Sequence, residues 1–353
     1  MGILARLVAV GLAIVASAWT DATRAGVPHP LCAGPGASAG GAGSTARDLC
    51  AVVLAHGPGG APQSLEGLAE HGAGRLPEPL AAADVLLLGE VHDNPIHHRL
   101  RAGMIHWLED ARLKAGKPAP ALVAEHIRAD QALGLAGFHA LGRSRRGVET
   151  ARFFEALEWD KSGWPGASMF EPLFGAALDH GWPIIPGNVS RANIRNVARN
   201  GQSVLRSDEV VRLGLDAALP EPLQTSLLDE LEASHCGLLP KSAFMGLADA
   251  QRYRDAHMAR ALIDAAARQG RAVLVAGNGH VRSDRGVPWH LRRMEPRKSI
   301  AMALFLEVEA DKVAAADYVT RDAQGRPLAD VFYLTARIER PDPCVEMRKR
   351  FGK

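Results

Sequence analysis

The sequence predicts a three-layer α/β/α fold, with a mostly parallel sheet covered on both faces by helices and carrying an inserted helical subdomain. Three observations carry this prediction. Short continuous apolar runs end at Gly, Pro or an acidic residue and alternate with helical stretches; residues 190–268 are helical in pattern almost throughout; and two late segments are rich in β-branched and aromatic residues.

The apolar runs are Asp84 to Leu88 before Gly89, Ala121 to Ala124 before Glu125, Trp182 to Ile185 before Pro186, and Ala272 to Ala276 before Gly277. Runs of four or five apolar residues are the length of a buried parallel strand. After the first run, Asn94 can cap a helix and Pro95 suits its first turn, while Ile96, Leu100, Met104, Trp107 and Leu108 form an apolar stripe. Further helices are expected at about 128–140, 168–180 and 190–199, and a long one from Ser242 to Arg268. Ser299 to Val308 and Asp330 to Ile338 are expected to extend the sheet, with an antiparallel pairing at one edge.

The 353 residues are 47% hydrophobic and 23% charged, which places the chain in the ordinary globular class. A formal net charge of +2 gives no footprint for nucleic acid, and Arg143, Arg145 and Arg146 read as a solvated loop. Arg6, the apolar run Leu7 to Ala18 and the small residues Ala16 and Ala18 read as a signal peptide over 1–25, so a periplasmic or cell-envelope location is expected. The run is shorter than the roughly 20 residues of a bilayer crossing; an uncleaved anchor with membrane association is the alternative. His29, Pro30 and Leu31 before Cys32 lack the small residues that lipid attachment needs.

Residues 26–64, rich in Gly, Ala, Pro and Ser, read as a tether. The α/β domain is expected over 65–340, its helical insert over about 190–268, and a basic tail over 341–353. Cys32, Cys50, Cys236 and Cys344 fit an oxidising compartment and allow three pairings. The count does not choose among them. We expect Cys32 with Cys50, and Cys236 with Cys344 tying the insert to the C-terminal end, against the alternative of buried free thiols.

The chemistry-bearing residues gather at the strand exits, where open α/β sheets place their ligand crevice. Glu90 and His92 share a face if the extended backbone continues beyond Gly89. Glu125 ends the next strand, and Gly277 and Gly279 allow a tight turn that returns His280 through Asn278 to the same edge. Two carboxylates and two imidazoles suit a divalent metal, or a general acid and base. The plain alternative is that the acids cap helices while the histidines fill hydrogen-bonded core sites. His97 and His98, in the first turn of the capped helix, are candidate ligands. His126 should point to the sheet face opposite Glu125 and is read as structural. Gln251, Arg254, Asp255 and Met258 recur at helical spacing and could roof the crevice; the ordinary explanation is a solvated helix face. Tyr253, Tyr318 and Tyr333 leave the axial ligand of a haem open. The sequence holds no GxGxxG at a strand-to-helix turn, no GxxxxGK[ST], no GxSxG and no HExxH, which removes the main support for nucleotide-dependent and serine-hydrolase chemistry.

LLLGEVHDNPIHH (Leu86 to His98), LEWDKSGWP (Leu157 to Pro165), SHCGLLP (Ser234 to Pro240), AQRYRDAHMA (Ala250 to Ala259) and GNGHVRSDRGVP (Gly277 to Pro288) closely resemble the ChaN-like haem-binding uptake proteins of the Tiki superfamily, in family order. The resemblance implies a role in haem and iron uptake, with dimerisation bringing two haems together. His97, His98, Gln251, Arg254, Met258 and Asn278 are then candidate haem contacts. Through the wider superfamily, which includes Tiki-type proteases and erythromycin esterases, it also implies a hydrolase: Glu90, His92, Glu125 and His280 as catalytic residues, with Mn, Co or Zn on Glu90, His92 and His280. Two departures stand out. Phe170 replaces a tyrosine that relatives often carry after the GWP motif, and His126 stands where an apolar residue is more usual.

Overall fold

The strands are β1 (Leu49–Leu54), β2 (Gln63–Ser64), β3 (Val85–Leu88), β4 (Ala121–Arg128), β5 (Ile184–Asn188), β6 (Ala272–Val275), β7 (Ile300–Glu307) and β8 (Val331–Thr335), and they form one sheet in the order β2-β1-β8-β7-β3-β6-β4-β5. This computed structural model describes residues 29–32, 49–57, 60–65, 75–141 and 148–351. The expected signal peptide, most of the expected tether and the Arg143, Arg145 and Arg146 loop lie outside the described residues.

The six strands from β8 to β5 pair in parallel. Their alternate residues divide the core in two. Leu86, Leu88, Leu122, Ala124, Val273 and Val275 face α2 (Pro95–Lys114), which follows α1 (Glu78–Ala82), and α5 (Ala167–Asp179), which follows α3 (Ala132–Ala140) and α4 (Val148–Ala156). Val85, Leu87, Val123 and Leu274 face the opposite way. They pack on Met258, Leu262 and Ala266 of α9 (Lys241–Gln269), the long helix that ends the segment between β5 and β6 after α6 (Arg191–Asn200), α7 (Ser207–Arg212) and α8 (Glu221–Ser234). Burying both faces is what makes these strands read as unbroken apolar runs.

Three expectations are corrected. The antiparallel edge is not formed by the late strands, since β7 and β8 run parallel to each other; it is formed by β1 against β8 and β2 against β1. Leu49–Leu54 therefore belongs to the sheet rather than to a tether: the apolar LCAVVL run is too short to outweigh the Gly, Ala and Pro composition around it, yet pairing with β8 buries it. β5 continues through Pro186, which an edge strand tolerates because its missing N–H need face no neighbour. Cys32 pairs with Cys50 of β1, and Cys236 pairs with Cys344 at the start of α10 (Pro343–Phe351), so the 341–353 segment carries a helix held to the loop between α8 and α9. Among the described residues no helix is long and apolar enough to cross a membrane.

Candidate functional site at the strand exits

β6, the last of three central strands in chain order, lies between β3 and β4. That placement brings together the segments that follow Leu88, Ala124 and Val275, although they are far apart in sequence. Gly89 donates its N–H to Ala303 O at 2.8 Å, and Asn278 donates to Glu90 O at 3.0 Å, so the β3 exit is stitched to its neighbours before the functional side chains begin.

Glu90 continues the β3 alternation onto the face covered by α2 and α5. Its Oε1 accepts from His92 Nδ1 at 2.5 Å and from His126 Nε2 at 2.8 Å, while Arg101 donates to Oε2. Burial alone would raise this carboxyl's pKa, but Arg101 and the facing imidazoles hold it well below the ordinary carboxylate value. Arg101 reaches it from α2, one turn beyond His97, and also donates to His97 O at 3.3 Å. The wall behind is aromatic: the Trp164 ring lies tilted, its centroid 4.8 Å from those of both His92 and His126, and Phe170 lies 4.2 Å from His98 and 4.9 Å from His126. The phenyl ring at position 170 thus completes an apolar lining.

Glu125, expected to end its strand, lies within β4, which continues to Arg128, and points to the other face, toward α9. Gly277 N–H donates to its Oε2 at 2.7 Å, Arg254 donates to Oε1, and His280 Nε2 lies 3.2 Å from Oε1. Here too burial is outweighed, by His280, His92 and Arg254, and the carboxyl sits well below its ordinary pKa. His280 Nδ1 donates to Asp255 Oδ1 at 2.5 Å, and Gln251 places its amide nitrogen 3.1 Å from the same ring atom. Burial opposes protonation of His280, but Glu125 and then Asp255 push its pKa up to about 9. His92 joins the two halves. Burial lowers its pKa, yet Glu125 on one side and Glu90 on the other raise it overall. Gly277 makes room for the ring, since a Cβ there would lie 2.8 Å from His92 Cε1 and Nε2.

Glu90, His92, Glu125 and His280 therefore meet around β6, with Gln251 and Arg254 over them. The other candidate contacts are placed differently. Val91 N–H donates to His97 Nδ1 at 2.9 Å, and His97 Nε2 meets Thr335 Oγ1 at 2.9 Å. His98 Nε2 donates to His92 O at 3.0 Å, and its Nδ1 accepts from Arg101 at 2.7 Å. Both rings are fully buried, and burial drives His97 well below its ordinary pKa and His98 to about 3. They brace the site as neutral hydrogen-bonding groups. Met258 is wholly buried against the sheet, because one further helical turn carries α9 from the crevice edge over the core. Asn278 ties the GNGH turn to β7 through Phe305 O at 2.7 Å. Tyr253 donates to Glu209 at 2.9 Å in the helical segment, and Tyr318 and Tyr333 are buried elsewhere.

Sequence reasoning missed two participants, His126 and Arg101, and gave a third, Asp255, no partner. His126 does face away from Glu125, as strand alternation requires, but that is also the Glu90 face; Glu90, His92 and His126 offer ligand atoms within 4.8 Å of one another. Arg101 was signalled by a cation on the buried side of an amphipathic helix, four residues after His97. Asp255 was visible only as part of a polar helical patch.

No curated protein matches the chain. Among solved structures, ChaN of Campylobacter jejuni, described as binding haem cofacially, aligns at a TM-score of 0.57 and 19% identity over 81% of this chain and 98% of its own. An open-conformation mutant of the erythromycin esterase EreC aligns at 0.35 and 15% identity over 78% of this chain and 82% of its own. The type III effector HopBA1 aligns at 0.38 and 10% identity over 73% of this chain and 90% of its own. The first of these shares the fold, and the haem-binding uptake family of the Tiki superfamily, that of ChaN, matches residues 76–291. With more than half of its length so matched, the chain belongs to that family.

Proposed function

We propose that the chain is an exported haem-binding protein of haem and iron uptake, with His92 as the residue that meets haem iron. The observation that carries this reading is the exposure and anchoring of His92. Its side chain is 31% exposed, against 0% for His126 and 5% for His280, and its Nδ1 is fixed by Glu90. A carboxylate on one ring nitrogen orients an imidazole and leaves Nε2 as the donor for a metal. The donor set fits haem: one oriented imidazole at the surface, a tryptophan ring 4.8 Å away as a flat apolar wall, and a glycine where a side chain would crowd the ring. Haem would supply a redox-active, ligand-binding iron. Glu90, Arg101 and His126 fix the imidazole's orientation, and Trp164 shields it. Family membership supports the same ligand, and dimerisation that brings two haems face to face belongs to this reading.

Haem titration of the purified protein should give a Soret band that saturates stoichiometrically, and His92→Ala should weaken binding at least tenfold. Binding no tighter than to an unrelated control protein would sink the reading.

A second reading, a hydrolase dependent on Mn, Co or Zn, is favoured by one observation: Glu90, His92 and His126 form a compact two-imidazole, one-carboxylate set. His126 serves here in place of His280, whose two ring nitrogens already face Asp255 and Glu125. The ion would activate water, with Glu125 positioned as base. Stoichiometric metal in protein purified without haem, together with peptidase or esterase activity lost on Glu90→Gln, would establish this reading over the first.

A further inference from the structure

We propose that His106 and His180 form a second divalent transition-metal site, on the surface and separate from the strand-exit crevice. His106 stands on the outer side of α2, and His180 caps the C-terminus of α5, where that packed helix pair brings them together. His106 Nδ1 and His180 Nε2 lie 2.7 Å apart, with the rings nearly perpendicular. Two imidazoles bound to one ion at about 2.0–2.1 Å each place their nitrogens roughly 3 Å apart. The observed separation is therefore within a few tenths of an ångström of that between two nitrogens on one ion.

What separates this pair from two neighbouring surface histidines is the group behind it. Glu109, buried beneath the pair, points Oε1 toward His180 Nδ1 at 3.9 Å. It is rigidly held: Arg112 donates to both its oxygens at 2.6 and 2.7 Å, and Trp182 Nε1 donates at 2.9 Å. Glu109 thus stands on the Nδ1 side of His180, where carboxylates stand behind metal-binding histidines, and leaves the Nε2 side for an ion. His180 is 26% exposed and His106 is exposed, so an ion has open access. Asp110 stands one helical turn after His106 on α2. Imidazole pairs with water in the remaining positions suit Cu, Ni or Zn over Mg or Ca.

The test uses the untagged full chain, stripped with EDTA and without haem. Titration with Ni²⁺ by calorimetry should show one equivalent that is lost or weakened at least tenfold in His106→Ala and in His180→Ala, yet retained in Glu90→Gln. With Cu²⁺, electron paramagnetic resonance should show nitrogen couplings that drop by one ligand in either histidine variant. His106 is exposed, so His106→Ala should keep the parent melting temperature; His106→Asn repeats the measurement should it fail to fold. The same Ni²⁺ equivalents in parent and both variants, or loss of the tested equivalent in Glu90→Gln, would show the pair to be a simple ring-to-ring hydrogen bond and overturn the proposal.

Discussion

Glu90, just beyond β3, and Glu125, within β4, are both buried carboxylates on either side of β6, yet the molecule holds them by different means. Glu90 is enclosed on the α2 and α5 face by a wholly buried Arg101 and two imidazoles. Glu125 is held on the α9 face by a backbone N–H, by His280, and by an Arg254 that remains 18% exposed. The difference teaches that strand alternation divides the site into two halves. One is a closed ionic core around Glu90, in which one Arg101 nitrogen and His126 Nδ1 have no partner. The other is a lid-like arrangement built on a helix that arrives late in the chain. His92 bridges them and alone of the three clustered imidazoles reaches solvent appreciably.

The largest expected effect tests this asymmetry directly. Arg101→Met leaves the Glu90 charge buried without its cation and should cost about 3–5 kcal/mol in urea unfolding. Arg254→Met should cost only about 1–2 kcal/mol, since Gly277 and His280 still satisfy Glu125. Equal losses would erase the distinction between the halves.

A second contrast lies in pH. His280 gains a proton affinity in the folded state, so its stabilisation is fully present below its unfolded pKa near 6.5 and is lost as pH rises through about 9. Glu90 and Glu125 are depressed, so theirs is present above about 4.5 and lost as pH falls. The parent should thus lose on the order of a few kcal/mol between about pH 6.5 and 9, and His280→Asn should flatten that alkaline limb while leaving the acid limb in place. An unchanged alkaline limb would refute the charged His280.

The smallest effect sharpens the role of the bridge. Gly277→Ala puts a methyl group 2.8 Å from the His92 ring. Haem affinity should fall about tenfold while stability changes by about 1–2 kcal/mol. Parent-like haem affinity would mean that His92 moves freely and does not set the ligand.

Much of this was legible because it is local. The strand runs before Gly89, Glu125 and Gly277, the Asn94 cap and the long helix near Ser242 to Arg268 follow from composition and periodicity within short windows. LCAVVL was not legible, because a six-residue run inside a Gly, Ala and Pro-rich stretch gains its strand only from β8, far away in sequence. His126 shows the same limit within a site: alternation correctly set its face, but which other residues share that face depended on the order of strands.

By itself the sequence determined the αβ alternation, the position of the acids and histidines just beyond the apolar runs, and the motifs of the family. Those properties depend on near neighbours and on the two- and 3.6-residue periods. Only the tertiary structure decided that β6 enters between β3 and β4, that Arg101 and His126 close around Glu90 while Asp255 and Arg254 serve the Glu125 side, and that His97, His98 and Met258 withdraw into the core. The physical reason is that buried charges are settled by the partners packing brings to them, and those partners come from distant parts of the chain.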